Sequence, residues 1–150
     1  MSVIDPFSDD YFMHQALLEA KEAFDQQEIP VGAIVVSKKR IIAKSSNQTE
    51  RLVDCTAHAE MLAISAAQNY LGSKYLTDCS LYVTLEPCAM CAGAIYWAQL
   101  ANVYIGARDE GRGFSRLSPP LLHPKTKLHW GIRESECSEL IRNFFKKLRE

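Results

Sequence analysis

The sequence predicts an α/β fold, a three-layer α/β/α sandwich in which a central mixed sheet of about five strands is flanked by helices. Three observations carry this prediction. Amphipathic helical stripes alternate along the chain with short β-branched runs. Glycine, proline and clusters of charge separate them as turns. The chain has 150 residues, 47% hydrophobic and 23% charged, which is the size and composition of one globular domain over 1–150. That length can bury a core without covalent staples, and no repeat, low-complexity tract or linker interrupts it.

Taken in order, Met13, Ala16, Leu17, Ala20 and Phe24 follow the stripe of a helix with one buried face, predicted over 10–27. Asp9 and Asp10 suit its positive N-terminal end. Residues 31–36 and 41–44 are β-branched runs on either side of Ser37-Lys38-Lys39-Arg40, which reads as a β-hairpin. Thr56 is placed to cap a helix over 57–70 that Gly72 ends. Residues 79–85 read as a strand. Pro87 suits the first turn of a helix running to about residue 100, and 102–106 is a further strand. Residues 107–127 carry repeated Gly, Pro and Arg and read as a long functional loop with room for a short helix. Cys137, Leu140, Ile141, Phe144 and Leu148 share one stripe of a last helix over 134–148.

Composition excludes several classes. No apolar run approaches the roughly 18–20 residues of a membrane-spanning helix, so no membrane partner is expected. Residues 1–10 hold three acids and no Lys or Arg, the wrong charge for a secretory or transit signal. Five cysteines, at 55, 79, 88, 91 and 137, cannot all pair within one chain. A reduced, cytoplasmic protein with a metal or redox site is therefore expected.

The chemistry concentrates in Ala57-His58-Ala59-Glu60 and Leu85-Glu86-Pro87-Cys88-Ala89-Met90-Cys91, each at the start of a predicted helix. An imidazole and two thiolates form a donor set suited to Zn²⁺. Unpaired N–H groups at a helix start favour thiolates. Three protein ligands, His58, Cys88 and Cys91, leave a fourth position for water, the pattern of a catalytic zinc. Glu60 could then stand beside that water and take its proton without being a ligand. Adding Cys55 would instead make a closed Cys₃His structural site, in which Glu60 has no role.

His-x-Glu followed by Pro-Cys-x-x-Cys is the signature of zinc-dependent nucleobase and nucleoside deaminases. With Ile29-Pro30-Val31-Gly32-Ala33, Asn47, Leu81-Tyr82-Val83-Thr84-Leu85, Met90-Cys91-Ala92-Gly93-Ala94-Ile95, Gly106-Ala107-Arg108-Asp109 and Phe144-Phe145, the chain resembles the bacterial tRNA-specific adenosine deaminases of the cytidine/deoxycytidylate deaminase superfamily over nearly its whole length. The resemblance implies a cytidine-deaminase-like fold, a homodimer and one zinc per subunit. It implies hydrolytic deamination of the wobble adenosine of a tRNA anticodon to inosine: water activated on zinc attacks C6, and Glu60 shuttles the proton. On matching positions His58, Cys88 and Cys91 would hold zinc. Asn47, Val31 and Ala59 would bind substrate, Asn47 by hydrogen-bonding the flipped adenine. Arg108, Asp109, Phe144, Phe145 and Lys146 would contact the anticodon stem-loop. From the residues alone Asn47 is a turn residue after the hairpin. Cys55 stands where family members often have Pro, and Gly111-Arg112-Gly113-Phe114-Ser115-Arg116-Leu117-Ser118 departs from the family pattern. Ile95-Tyr96-Trp97-Ala98 also resembles guanine deaminases, so a free-base substrate is the alternative. Tyr96 and Trp97 continue the Cys88 helix and read as core or dimer-interface residues.

The formal net charge of -1 conceals an asymmetry. Residues 1–28 hold seven acids and one Lys, whereas 29–150 hold sixteen bases and eleven acids. Arg108, Arg112, Arg116, Lys125 and Lys127 in the long loop, with Arg142, Lys146, Lys147 and Arg149 in the last helix, form a basic excess compatible with RNA on one side.

Overall fold

The computed structural model describes residues 7–117 and 121–150; the start of the acidic N-terminal stretch and Ser118 of the divergent loop lie outside them. Helix α1 (Asp9–Asp25) is followed by the hairpin β1 (Gly32–Ser37) and β2 (Arg40–Ser46), then α2 (Ala59–Leu71), β3 (Cys79–Leu85), α3 (Ala89–Ala98) and β4 (Asn102–Ala107). A single 3₁₀ turn at Phe114–Arg116 precedes β5 (Lys127–Trp130) and α4 (Glu134–Leu148). The strands lie in the order β2-β1-β3-β4-β5. β1 is antiparallel to β2 and β3, whereas β3, β4 and β5 run parallel, so the sheet is mixed.

Period-two alternation on β1 builds both outer layers. Ala33 and Val35 join α2 and α3 in one core, with Ala63, Ile64 and Ile95. Ile34 and Val36 face the other way and meet Phe12, Met13, Ala16 and Leu17 of α1, with Cys137 of α4. Gly32 permits the close approach of α1: a Cβ there would collide with the carbonyl of Ala16. On this second face Tyr82, Tyr104 and His129 are register partners across β3, β4 and β5 and stack as neighbours, with ring centroids 4.3 and 4.2 Å apart. The Tyr82 hydroxyl donates to Asp9 at 2.6 Å, fastening the start of α1 to the sheet.

The predicted elements are present with four corrections. Thr56 does not cap α2. Its N–H and its hydroxyl both bond the Asp54 carboxylate, at 2.8 and 2.7 Å, and His58 becomes the capping residue. α3 begins at Ala89 with Cys88 as its cap, leaving Pro87 outside, and ends at Ala98, where Gln99 turns left-handed with φ 58°. At the end of the region read as loop and just beyond it, the chain forms β5, a strand the sequence reading does not locate. At the end of α4, Leu148 of the predicted stripe is 68% exposed, because the helix runs past the sheet.

Candidate active site

Two helix starts converge below the C-terminal ends of β3 and β4. His58 and Cys88 both hold extended capping conformations, with φ −73° and −75°, and neither spends its side chain on a capping bond. Their side chains are thus free to point beyond the helix ends. Cys91 lies in the first turn of α3 and Glu60 in the first turn of α2. The His58 Nδ1 atom stands 3.7 Å from Cys88 Sγ and 3.5 Å from Cys91 Sγ.

These separations test the site for a metal. Tetrahedral zinc, with Zn–N of about 2.0–2.1 Å and Zn–S of about 2.3 Å, puts nitrogen and sulfur about 3.5 Å apart. The three donor atoms lie within 4.8 Å of one another, and the set among the described residues is His58, Cys88 and Cys91. Cys55 is exposed and outside the set, which removes the closed Cys₃His alternative. The donor set and its spacing fit zinc. Hydrogen bonds from Cys91 and His58 hold the Cys88 thiol down to about 3, and the same contact pushes Cys91 up.

Glu60 is 4% exposed. Burial pushes its carboxyl up to about 7, against the opposing pull of its own backbone N–H and of His58. A carboxyl so placed changes charge readily near neutral pH, as a proton shuttle must. Above it opens a cavity of about 400 Å³, within the range of small-ligand sites. Val31, Ala59 and Asn47, the expected substrate residues, all line it, with Ile29, Leu85 and Ile141 adding apolar wall. The Asn47 amide donates to the Ile29 carbonyl at 3.2 Å and accepts from Thr49 N–H at 3.4 Å. These bonds meet the turn reading, and they leave one N–H and one lone pair of the amide without a protein partner among the described residues.

The rim comes from farther along the chain. Of the five residues expected to contact RNA, Arg108, Asp109 and Phe145 line the cavity; Phe144 and Lys146 do not. Phe144 is buried, its ring edge-on to Phe24 at 5.8 Å. Adjacent positions on a helix face different ways, and the Cys137 stripe takes Phe144 inward. Lys146 is exposed on the outer surface of α4. Two carboxylates organise the surroundings without having been assigned a role in the sequence. Glu86, 4% exposed, accepts from the backbone N–H of Asp109 at 3.1 Å and of Ser115 at 2.9 Å. Gly113 lies so close over it that a Cβ would strike the Glu86 carboxyl and the Asp109 carbonyl. Glu28, 1% exposed, accepts from the N–H groups of Glu50 and Arg51 at 3.0 and 2.8 Å and so secures the loop after Asn47. The available signal was an acid immediately before Pro-Cys and another before Ile-Pro, places where solvated charge is unexpected.

Residues 7–107 match the cytidine and deoxycytidylate deaminase zinc-binding region. The chain belongs to this deaminase family. The family and the His/Cys/Cys site together give one zinc per subunit. The chain is 48% identical to a tRNA-specific adenosine deaminase of Aquifex aeolicus over 145 residues, covering 93% of this chain and 95% of that protein. A solved structure from studies of A-to-I editing by tRNA:A34 deaminases superposes with a TM-score of 0.82 at 42% identity, covering 87% of this chain and 98% of the other. A guanine deaminase structure from Bacillus subtilis gives a TM-score of 0.65 at 41% identity, covering 67% of this chain and 65% of that one. The cytidine-deaminase-like sandwich expected from the sequence is the fold observed. No described helix is long and apolar enough to cross a membrane.

Proposed function

We propose that this chain hydrolytically deaminates adenosine to inosine at the wobble position of a tRNA anticodon. The observation that carries the reading is the placement of buried Glu60 beside the His58, Cys88 and Cys91 donors, at the floor of a cavity whose rim bears exposed arginines. The 48% identity with a tRNA-specific adenosine deaminase over most of both chains supports the same substrate.

His58, Cys88 and Cys91 would hold zinc, which when bound would supply Lewis-acid activation of water at the pocket floor. Glu60 accepts the proton of that water and returns it to N1 of the purine as oxygen adds at C6. The carboxylate then takes the proton of the new C6 hydroxyl and passes it to the amine as the C6–N bond breaks and the C6 carbonyl forms, so water enters and ammonia leaves. Asn47 fixes the base through its free N–H and lone pair, between Val31 and Ala59. Splaying the target base out of a single-stranded loop brings C6 to this depth at modest cost. Arg108, Asp109 and Phe145 face the flanking nucleotides. The enzyme acts as a cytoplasmic homodimer, in which the partner covers Trp97, 73% exposed on α3.

Incubation with an anticodon stem-loop carrying a wobble adenosine, and separately with guanine, cytidine and adenosine, tests the reading. Inosine in the RNA alone is the expected result. Ammonia from guanine alone would transfer the assignment to the free-base reading, which the Bacillus subtilis structural likeness favours.

A further inference from the structure

Arg108 leaves the end of β4 at the rim of the cavity, and its guanidinium carbon lies 4.0 Å from the centre of the Trp130 ring. Trp130, the last residue of β5, is packed in turn on Phe114 of the 3₁₀ turn, rings 19° from parallel and 6.1 Å apart. Phe114 is 6% exposed and belongs to the core below α3. The stack therefore joins an exposed cation to the protein interior. Among the described residues the ion pairs within 4.0 Å are both made by Arg133, so no carboxylate neutralises Arg108.

A guanidinium laid on an aromatic face keeps its in-plane N–H donors free. Its plane is fixed, so little rotamer freedom is left to lose when a ligand binds. Five donors in a rigid fork match the paired oxygens of a phosphodiester. The backbone just after Arg108 is held by Glu86, which accepts from the N–H groups of Asp109 and Ser115.

We propose that Trp130 is a positioning residue that holds Arg108 as a preorganised clamp for an RNA phosphodiester flanking the target nucleotide. This rests on the reading of the substrate as RNA and deepens it. Trp130 touches no reacting atom; it sets the affinity for RNA through Arg108.

The test compares Trp130→Leu, Trp130→Phe and Arg108→Gln with the parent enzyme. It measures stem-loop affinity, KM, kcat and zinc content across a salt series. Trp130→Leu and Arg108→Gln should each raise Kd and KM about tenfold, the scale of one charge-assisted hydrogen bond. For both, kcat should stay within about twofold, zinc content should hold, and the salt slope should fall by about one. Trp130→Phe keeps a π-face and should recover most of the affinity. Methylphosphonate at the phosphates flanking the wobble adenosine should penalise the parent and leave Arg108→Gln unaffected. Unchanged affinity in Trp130→Leu, or equal loss in the Leu and Phe variants, would overturn the clamp. If methylphosphonate leaves the parent unaffected while Arg108→Gln is weak, the guanidinium stacks on a base and the phosphate assignment falls. A parent enzyme that binds the stem-loop without forming inosine overturns the proposed reaction, and the variant affinities still decide the clamp. A parent that does not bind RNA overturns both.

Discussion

At the floor of the cavity, His58 and Glu60 stand two residues apart and Cys88 and Cys91 three apart, each pair at the start of one helix. At the rim, Arg108 and Phe145, with the Trp130 ring under Arg108, come from three separate segments brought together only in the folded chain. The floor is fixed by spacing: once a helix starts at His58 or Cys88, the next turn delivers its neighbour within reach. The rim is fixed by a few long-range contacts, chiefly the two N–H groups held by Glu86 and the ring beneath Arg108. Floor residues should therefore govern chemistry with little effect on RNA affinity, and rim residues the reverse.

The strongest way to break this division is at Glu60. Glu60→Gln keeps the shape of the side chain and removes its proton-transfer capacity. Turnover of the stem-loop should fall about 10²–10⁴-fold, the range for general acid–base groups. Zinc content by metal analysis, stem-loop affinity and the thermal unfolding midpoint should remain those of the parent. Retained turnover would remove Glu60 from the mechanism. Loss of zinc would make it part of the metal site.

The same division explains what the sequence disclosed. The His58, Cys88 and Cys91 donor set, the four α-helices and four of the five strands were legible because each rests on a local pattern. Helix α4 was legible from its stripe, which also carries Phe144 inward; that Phe145 lines the cavity was not legible. Phe144 and Phe145 are chemically identical, and the fold separates them: Phe144 is buried against Phe24, whereas Phe145 lines the cavity. β5 was illegible because Lys127–Trp130 is four residues long, too short for its Lys-Leu-His-Trp alternation to stand out from the loop before it. It is an edge strand, aligned on β4 through pairs such as Tyr104 with His129. Thr56 looked like a cap by type, yet the Asp54 carboxylate two residues earlier competes for it and wins with two bonds. In each case a tertiary or competing local contact decided between residues that pattern alone treats alike.

Gly113 sharpens the comparison with a smaller effect. Its backbone, φ −66° and ψ 149°, is open to any residue, so the objection to a side chain is steric alone. Gly113→Ala pushes a methyl group against the Glu86 carboxyl and the Asp109 carbonyl. Overpacking of this kind costs about 1–3 kcal/mol. Urea unfolding should register that loss, and KM for the stem-loop should rise as Arg108 and Asp109 shift. Zinc content should hold, because Cys88 is tied to Gly113 only by an isolated backbone bridge, whereas its place in the metal site comes from α3. If zinc falls with KM, the bridge transmits strain to the floor and the two regions are one unit.

Cys55 should give the smallest effect, and its smallness is informative. It precedes His58 by three residues, a spacing that from sequence alone permits a fourth thiolate ligand. The chain between them is committed elsewhere: the Asp54 carboxylate holds Thr56, and the Ala57 N–H donates to the Asp54 carbonyl at 3.1 Å. That turn leaves the Cys55 side chain exposed while His58 turns inward. Cys55→Ser should thus shift stability by no more than about 0.5 kcal/mol, as exposed substitutions do. It should leave one zinc per subunit and full turnover. A drop in zinc stoichiometry would mean that the turn opens in the metal-loaded enzyme and closes the fourth coordination position. Glu60 would then have no water to deprotonate. Unchanged zinc and turnover keep that position open for substrate water, the condition on which the chemistry of the floor depends.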